Sequence, residues 1–161
     1  MKMTPRIEIS NEKKLVGKKL LMSYADYRIS ELWSGFMPRR KEITNNLTND
    51  LISFVVYRPM HFVDFKPTSQ FEKWATVEVT NFDNVPEEME TYILPTGLYA
   101  VFQYTGLSSG SSAFYQYIFS VWVPNSDYLL DDRPHLEILG DKYKNNDPLS
   151  EEEIWIPIKA K

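Results

Sequence analysis

A chain of 161 residues, 43% apolar and 25% charged, suits one compact domain that buries roughly 70% of the surface its unfolded form exposes. The net charge of −4 argues against a free-standing nucleic-acid binder, which needs a basic face to displace counterions from phosphate. The absence of cysteine excludes disulfide frameworks, thiolate metal sites and thiol nucleophiles.

No stretch approaches 18 apolar residues, and "MKMTPRIEIS" has no apolar core of signal-peptide length. The expectation is a soluble, cytoplasmic protein with no membrane partner. Aromatic residues reach 14%, which fits a heavy core or a pocket walled by flat rings.

In chain order, residues 6–24 alternate and are β-rich, with "KKLLMSY" (18–24) as their clearest part. Ile29, Leu32, Trp33, Phe36 and Met37 then follow i, i+3, i+4, i+7, i+8 spacing. That makes one apolar helical stripe. Ser30 is the expected N-cap, and Pro38 disturbs the helix near its end. "ITNNLTND" (43–50) reads as a polar loop, "LISFVVYR" (51–58) and "WATVEVTNF" (74–82) as strands, and "PMHFVDFKPTSQ" (59–70) as irregular.

After the polar bridge "NVPEEME" (84–90) the series begins again. "TYILPTGLYAVFQYTG" (91–106) is a strand pair or a long bulged strand, and "LSSGSS" (107–112) a loop that supplies an N-cap. Phe114, Tyr117, Ile118, Val121 and Trp122 repeat the helical stripe. "HLEIL" (135–139) and "EIWIPI" (153–158) are strands separated by the turn-rich "GDKYKNNDP".

The helix ends "LWSGFMPR" (32–39) and "IFSVWVPN" (118–125) share one pattern: apolar, aromatic, Ser, any residue, aromatic, apolar, Pro. Gly17 and Gly97 each precede a seven-residue run that ends in tyrosine, Tyr24 or Tyr104. These landmarks predict an α+β fold: two pseudo-symmetric β-α-β-β repeats, about 5–84 and about 90–160, forming an antiparallel sheet with two helices in one domain, 1–161.

The ordered set "LPTGLYAVFQYTG", a short helix, "HLEIL" and "EIWIPIK", preceded by "KKLVGKKLLMSY", "ELWSGFMPRRKEI" and "WATVEV", resembles the GyrI-like small-molecule-binding domain. This is the effector-binding domain of AraC-type and MerR-type multidrug regulators, and it also occurs as free-standing proteins. The resemblance spans roughly residues 5–160. It implies a duplicated β-α-β-β fold shared in outline with SOUL proteins. It also implies a cleft for flat, hydrophobic, often cationic compounds. A glutamate on the penultimate strand is the electrostatic centre of that cleft in the family, and Glu137 of "HLEIL" matches it. Many relatives carry a tyrosine two residues further on, where this chain has Leu139.

Alternation sends His135, Glu137 and Leu139 to one face of their strand, and Leu136 and Ile138 to the other. A buried, ionised, unpaired carboxylate costs several kcal/mol. The residues alone therefore leave two readings, an exposed face or a charge kept for a cationic ligand; the resemblance favours the second. The candidate ligand contacts are Glu137, Leu139, Trp155, Trp33, Tyr117, Phe114 and Phe36. Most of these helix aromatics are expected in the core, with Trp33 and Tyr117 suited to a half-wet wall. Tyr24 and Tyr104 are either lids or packing. Ile154, Ile156 and Ile158 are expected core, and Glu153 a solvated edge charge.

His61 and His135 are in no metal-ligand spacing. No Gly-x-Ser-x-Gly occurs, and no catalytic residue, metal or cofactor is assigned. The expected function is binding of hydrophobic, possibly cationic small molecules, with no direct nucleic-acid contact. Two alternatives stay open. One is hydrolysis of reactive small molecules, since some relatives open cyclopropanes with a Glu and a Tyr. The other is interaction with DNA gyrase.

Overall fold

A computed structural model describes residues 4–59, 61 and 64–161. Met60, Phe62 and Val63, part of the stretch expected to be irregular, lie outside the described residues. Among those described there are nine strands: β1 (Arg6–Ser10), β2 (Lys13–Met22), β3 (Leu51–Tyr57), β4 (Phe71–Val79), β5 (Glu90–Leu94), β6 (Gly97–Thr105), β7 (Tyr128–Leu130), β8 (His135–Leu139) and β9 (Glu151–Ala160). Helix α1 (Ile29–Phe36) follows β2, and α2 (Ser111–Tyr117) follows β6. The class is α+β, as the sequence predicts.

The chain forms two compact units, Glu12–Leu94 and Pro95–Lys161, the latter completed by the N-terminal residues through Asn11. The first, here the N-terminal unit, has strand order β5-β2-β4-β3, all antiparallel. The C-terminal unit has order β1-β6-β9-β8, again antiparallel, with the short β7 on β9. The two orders correspond strand for strand. The duplication has one twist, however. The opening strand of each half serves the other half: β1 pairs with β6, and β5 with β2.

In the N-terminal unit α1 packs on β2 and β4. Leu32 and Phe36 of the helix meet Val16, Val55, Phe71, Ala75 and Val77 of the sheet. In the C-terminal unit Phe114 and Ile118 meet Ala100, Phe102, Ile154, Ile156 and Ile158. Each such side chain removed from water stabilises the fold by about 1.5–3 kcal/mol. The three isoleucines are core, as expected.

Four local expectations need correction. Helix α1 begins at Ile29 with Arg28 as its cap, so Ser30 lies inside it and caps nothing. Likewise no side chain of 107–112 caps α2; the Ser111 hydroxyl instead donates to the Ser108 carbonyl at 2.8 Å. Val121 is exposed and Val123 is buried. The cause is a π-helical turn, Ile118–Trp122, followed by a last helical turn, Val123–Asn125. Five residues rather than four separate the buried Ile118 from its successor, which moves the stripe by one position. Pro124 lacks an N–H to donate here, and Asn125 Nδ2 donates to the Val121 carbonyl at 2.8 Å. In the first helix Met37 has likewise left the stripe. It is exposed and opens a 3₁₀ segment, Met37–Glu42, which includes Pro38.

The two glycines also differ in role. A Cβ on Gly17 would lie 1.9 Å from the Ala75 carbonyl oxygen of the neighbouring strand, so only glycine fits. Gly97 makes room for the Arg133 guanidinium, which sits 4.7 Å over the Tyr99 ring and donates to the Leu98 and Ile158 carbonyls. The strand registers match Lys19 with Val101, the residues facing Trp74 and Trp155, rather than Gly17 with Gly97.

Candidate functional site

In the C-terminal unit the register decides which way Glu137 points. It lies opposite Ile154 on β9, and directly paired residues of an antiparallel ladder share a face. Ile154 belongs to the core under α2. Glu137 is therefore on the helix-bearing face, with His135 and Leu139 on either side of it in the alternation. His135 and Leu139 are buried, and Glu137 is half-buried. The His135 ring lies 5.8 Å from that of Phe119, which itself stacks on Tyr115 at 6.3 Å. The carboxylate thus stands on a strand of mainly apolar character beside a helix rich in rings.

The other sequence-predicted contacts divide. Phe114 shares this face but is buried in the core against Phe102 (5.9 Å) and Tyr104 (5.4 Å). Tyr117 is half-buried beside the same core. Trp155 is on the opposite face, because it pairs with Leu136 and Val101 rather than with Glu137. There its indole N–H donates to Glu153 at 3.2 Å, and its ring lies 5.7 Å beneath the Arg6 guanidinium. Glu153 is held by Arg6 at 2.9 Å, so it is an ion-paired residue rather than a bare edge charge. In the N-terminal unit Phe36 is fully buried, while Trp33 is half-buried and meets it edge-on at 6.0 Å.

Tyr24 and Tyr104 separate as well. Tyr104 is buried and donates its hydroxyl to the Leu107 carbonyl at 2.6 Å. Burial pushes that hydroxyl above its ordinary pKa, and the charge of Glu152 adds to the rise. Tyr24 is 52% exposed and packs against Tyr27, Phe65 and Phe71 at 5.0–6.1 Å. Tyr57 and His61 extend this set of rings. It was not legible beforehand because Tyr24 and Phe65 are brought together only by tertiary structure.

A second carboxylate was legible and missed. The alternation that puts Ile154, Ile156 and Ile158 on the helix-bearing face also puts Glu152 there. It is 7% exposed and pairs across the ladder with Tyr104. The N-terminal unit has its own buried ionisable group on its helix-bearing face, Lys73. Among the described residues no cluster of three or more His, Asp or Glu side chains is arranged to hold a metal ion, and no helix is long and apolar enough to cross a membrane.

The two units also show where Glu137 departs from its copy. Glu137 faces Ile154, the residue before Trp155; in the other unit Val55 faces Lys73, the residue before Trp74. One strand position is thus valine in the first repeat and glutamate in the second. The model of one protein family, the GyrI-like small molecule binding domain, matches residues 3–159. The chain belongs to the GyrI-like family.

The GyrI-like fold is also seen in solved structures that this chain resembles. SAV2435 bound to tetraphenylphosphonium is 16% identical, with 98% of this chain and 94% of that one covered and a TM-score of 0.69. The EcmrR C-terminal domain is 16% identical, with 98% of both chains covered and a TM-score of 0.72. A hydrolase from Listeria innocua is 11% identical, with 98% and 93% covered and a TM-score of 0.59. No curated protein sequence is detectably similar.

Proposed function

We propose that this GyrI-like chain binds hydrophobic cations on the helix-bearing face of its C-terminal unit, with Glu137 as the charge that selects them. The observation that carries this reading is the divergence of the two copies. The same strand position is filled by Val55 in one unit and by Glu137 in the other, facing Lys73 and Ile154 respectively. A β-strand of this fold therefore does not call for a carboxylate there. Half-buried beside His135 and Leu139, that carboxylate is partly desolvated, which strengthens its attraction for a cation that has shed its own water.

The aromatic side chains nearby suit the same ligand. Tyr117, Phe119 and Tyr115 are half-buried on the helical segment above the sheet, and a ring face adds cation–π attraction of about 0.5–2 kcal/mol. Phe114 and Leu139 support the wall from the core. SAV2435, bound to tetraphenylphosphonium, shares the fold. EcmrR, which shares it too, has been seen in a complex with DNA. A sensing role, in which binding is reported to a transcription regulator, follows from that likeness as part of the proposal.

Tetraphenylphosphonium is the probe for the test. Calorimetric titration of the wild type and Glu137→Gln is expected to show binding about tenfold weaker in the variant, one lost charge-assisted contact. Equal affinities sink the reading.

A hydrolytic reading is favoured by one observation. Glu152 and Tyr104 face one another on the surface that also carries Glu137, so two carboxylates and a phenol share one face. Catalysis would appear as turnover of a cyclopropane-containing substrate that Glu137→Gln abolishes.

A further inference from the structure

We propose a second small-molecule site in the N-terminal unit, at the end of α1, for an organic anion with a short apolar body such as a phenyl phosphate. The chain turns from α1 through Met37–Glu42 into the loop before β3, and this path encloses an open depression of about 530 Å³. That volume is within the range of about 300–1,000 Å³ of small-ligand pockets. Its floor is Ile43 and Val77, both buried, and its polar lining is Arg40, Lys41, Asn46 and Asn49. Two cations and two amides over an apolar floor complement an anion attached to a ring.

The charges here are arranged unlike those around them. Arg39, next in sequence, is committed to Glu42 through two hydrogen bonds of 2.8 and 3.0 Å. Among the described residues neither Arg40 nor Lys41 forms an ion pair. Arg40 uses one Nη2 donor on the Asn49 carbonyl at 2.5 Å, which fixes the guanidinium against the loop while leaving its other N–H groups for a ligand. Glu42 is held below the usual carboxylate range by its hydrogen bond to Arg39, with smaller contributions from the charges of Lys18 and Lys41. An acidic chain of net charge −4 has gathered its one dense basic run, "PRRK" (38–41), at the rim of a concave surface.

Phosphate alone would gain only from the cations and amides. A phenyl ring adds burial against Met37 and Pro38, the exposed apolar part of the lining, above the floor of Ile43 and Val77. Phenyl phosphate is therefore expected to bind more tightly than inorganic phosphate, and salt is expected to weaken both.

The experiment is an NMR titration of the whole chain with phenyl phosphate and, separately, inorganic phosphate. Saturable shifts in the side-chain amide signals of Asn46 and Asn49 are expected, with phenyl phosphate the tighter ligand. In Arg40→Gln/Lys41→Gln the affinity is expected to fall by about tenfold or more, the loss of two charge-assisted contacts. Arg40 also holds the loop through Asn49, so the exposed Lys41→Gln alone is the second variant; it is expected to weaken binding by about threefold. Absence of saturable shifts at Asn46 and Asn49, or equal affinity in both variants and wild type, overturns the proposal. Competition by tetraphenylphosphonium would also overturn it, because the ligand would then occupy the cation site.

Discussion

Trp74 donates its indole N–H to Glu72, two residues earlier on β4, at 2.6 Å. Trp155 does the same to Glu153 on β9 at 3.2 Å. In each case a cation lies over the ring and ion-pairs with that glutamate: Lys19 of the adjacent β2 at 5.4 Å, and Arg6 of β1, two strands away across β6, at 5.7 Å. The module Glu-x-Trp plus cation is the clearest trace of the duplication, and it sits on the face away from the helices. Trp155 is thus a packing residue. Trp155→Phe is expected to destabilise the chain by about 1–3 kcal/mol in urea unfolding, while tetraphenylphosphonium affinity stays at the wild-type value. A large loss of affinity with unchanged stability would return Trp155 to the binding wall.

Glu137→Gln should weaken binding of tetraphenylphosphonium but leave a neutral analogue such as triphenylphosphine oxide unaffected, since the contribution of Glu137 is charge. Equal weakening of both ligands would mean that Glu137 shapes the site rather than selecting cations.

The elements were legible because each has a local signature. Leu32 and Phe36 at i, i+4, and Ile154, Ile156 and Ile158 at period 2, are buried as those spacings demand. The exchange of opening strands between halves was not legible. Whether Arg6–Ser10 pairs with β6 or with β2 is a choice among distant partners, and no local pattern encodes it. Glu137 was legible as a charge in an apolar strand, but its face required the register with Ile154. Glu152 was hidden by company: it stands in the run Glu151–Glu153 and reads as solvated until the alternation is carried back from Ile154. The rings Tyr24, Phe65 and Phe71 come from three separate segments.

His61 sets a pH dependence of stability. It is 6% exposed among the rings of Tyr57, Phe65 and Phe71, and burial holds it below its ordinary value of 6.5. The unfolded chain therefore takes up the proton first as pH falls. Its contribution is fully present above about pH 6.5 and is lost as pH drops from there towards the lower folded value. His61→Phe keeps a ring in place and removes the titration. Urea midpoints of wild type and variant should diverge below pH 6.5, with the wild type falling faster. Asp131, which its hydrogen bond from Arg133 holds below the usual carboxylate range, acts lower, near and below pH 4, and is common to both proteins. Parallel pH profiles would remove His61 as the cause.

The π-helical turn makes a prediction about phase. A regular helix through Phe114 and Ile118 would carry its stripe to Val121 and Trp122. The observed turn buries Val123 and leaves Val121 46% exposed. Valine to threonine is nearly isosteric, so it tests burial of a hydroxyl with little change in volume. Val123→Thr is expected to cost about 1–3 kcal/mol, the penalty for a poorly paired buried hydroxyl. Val121→Thr should stay within about 0.5 kcal/mol of wild type, as exposed substitutions do. Chemical denaturation of the two variants decides it. If Val121→Thr is the more destabilising, the segment is a regular helix in solution, and Tyr117 and Phe119 would turn with it relative to Glu137. The stability of two threonine variants thus also checks which ring of this segment is available to the proposed cation.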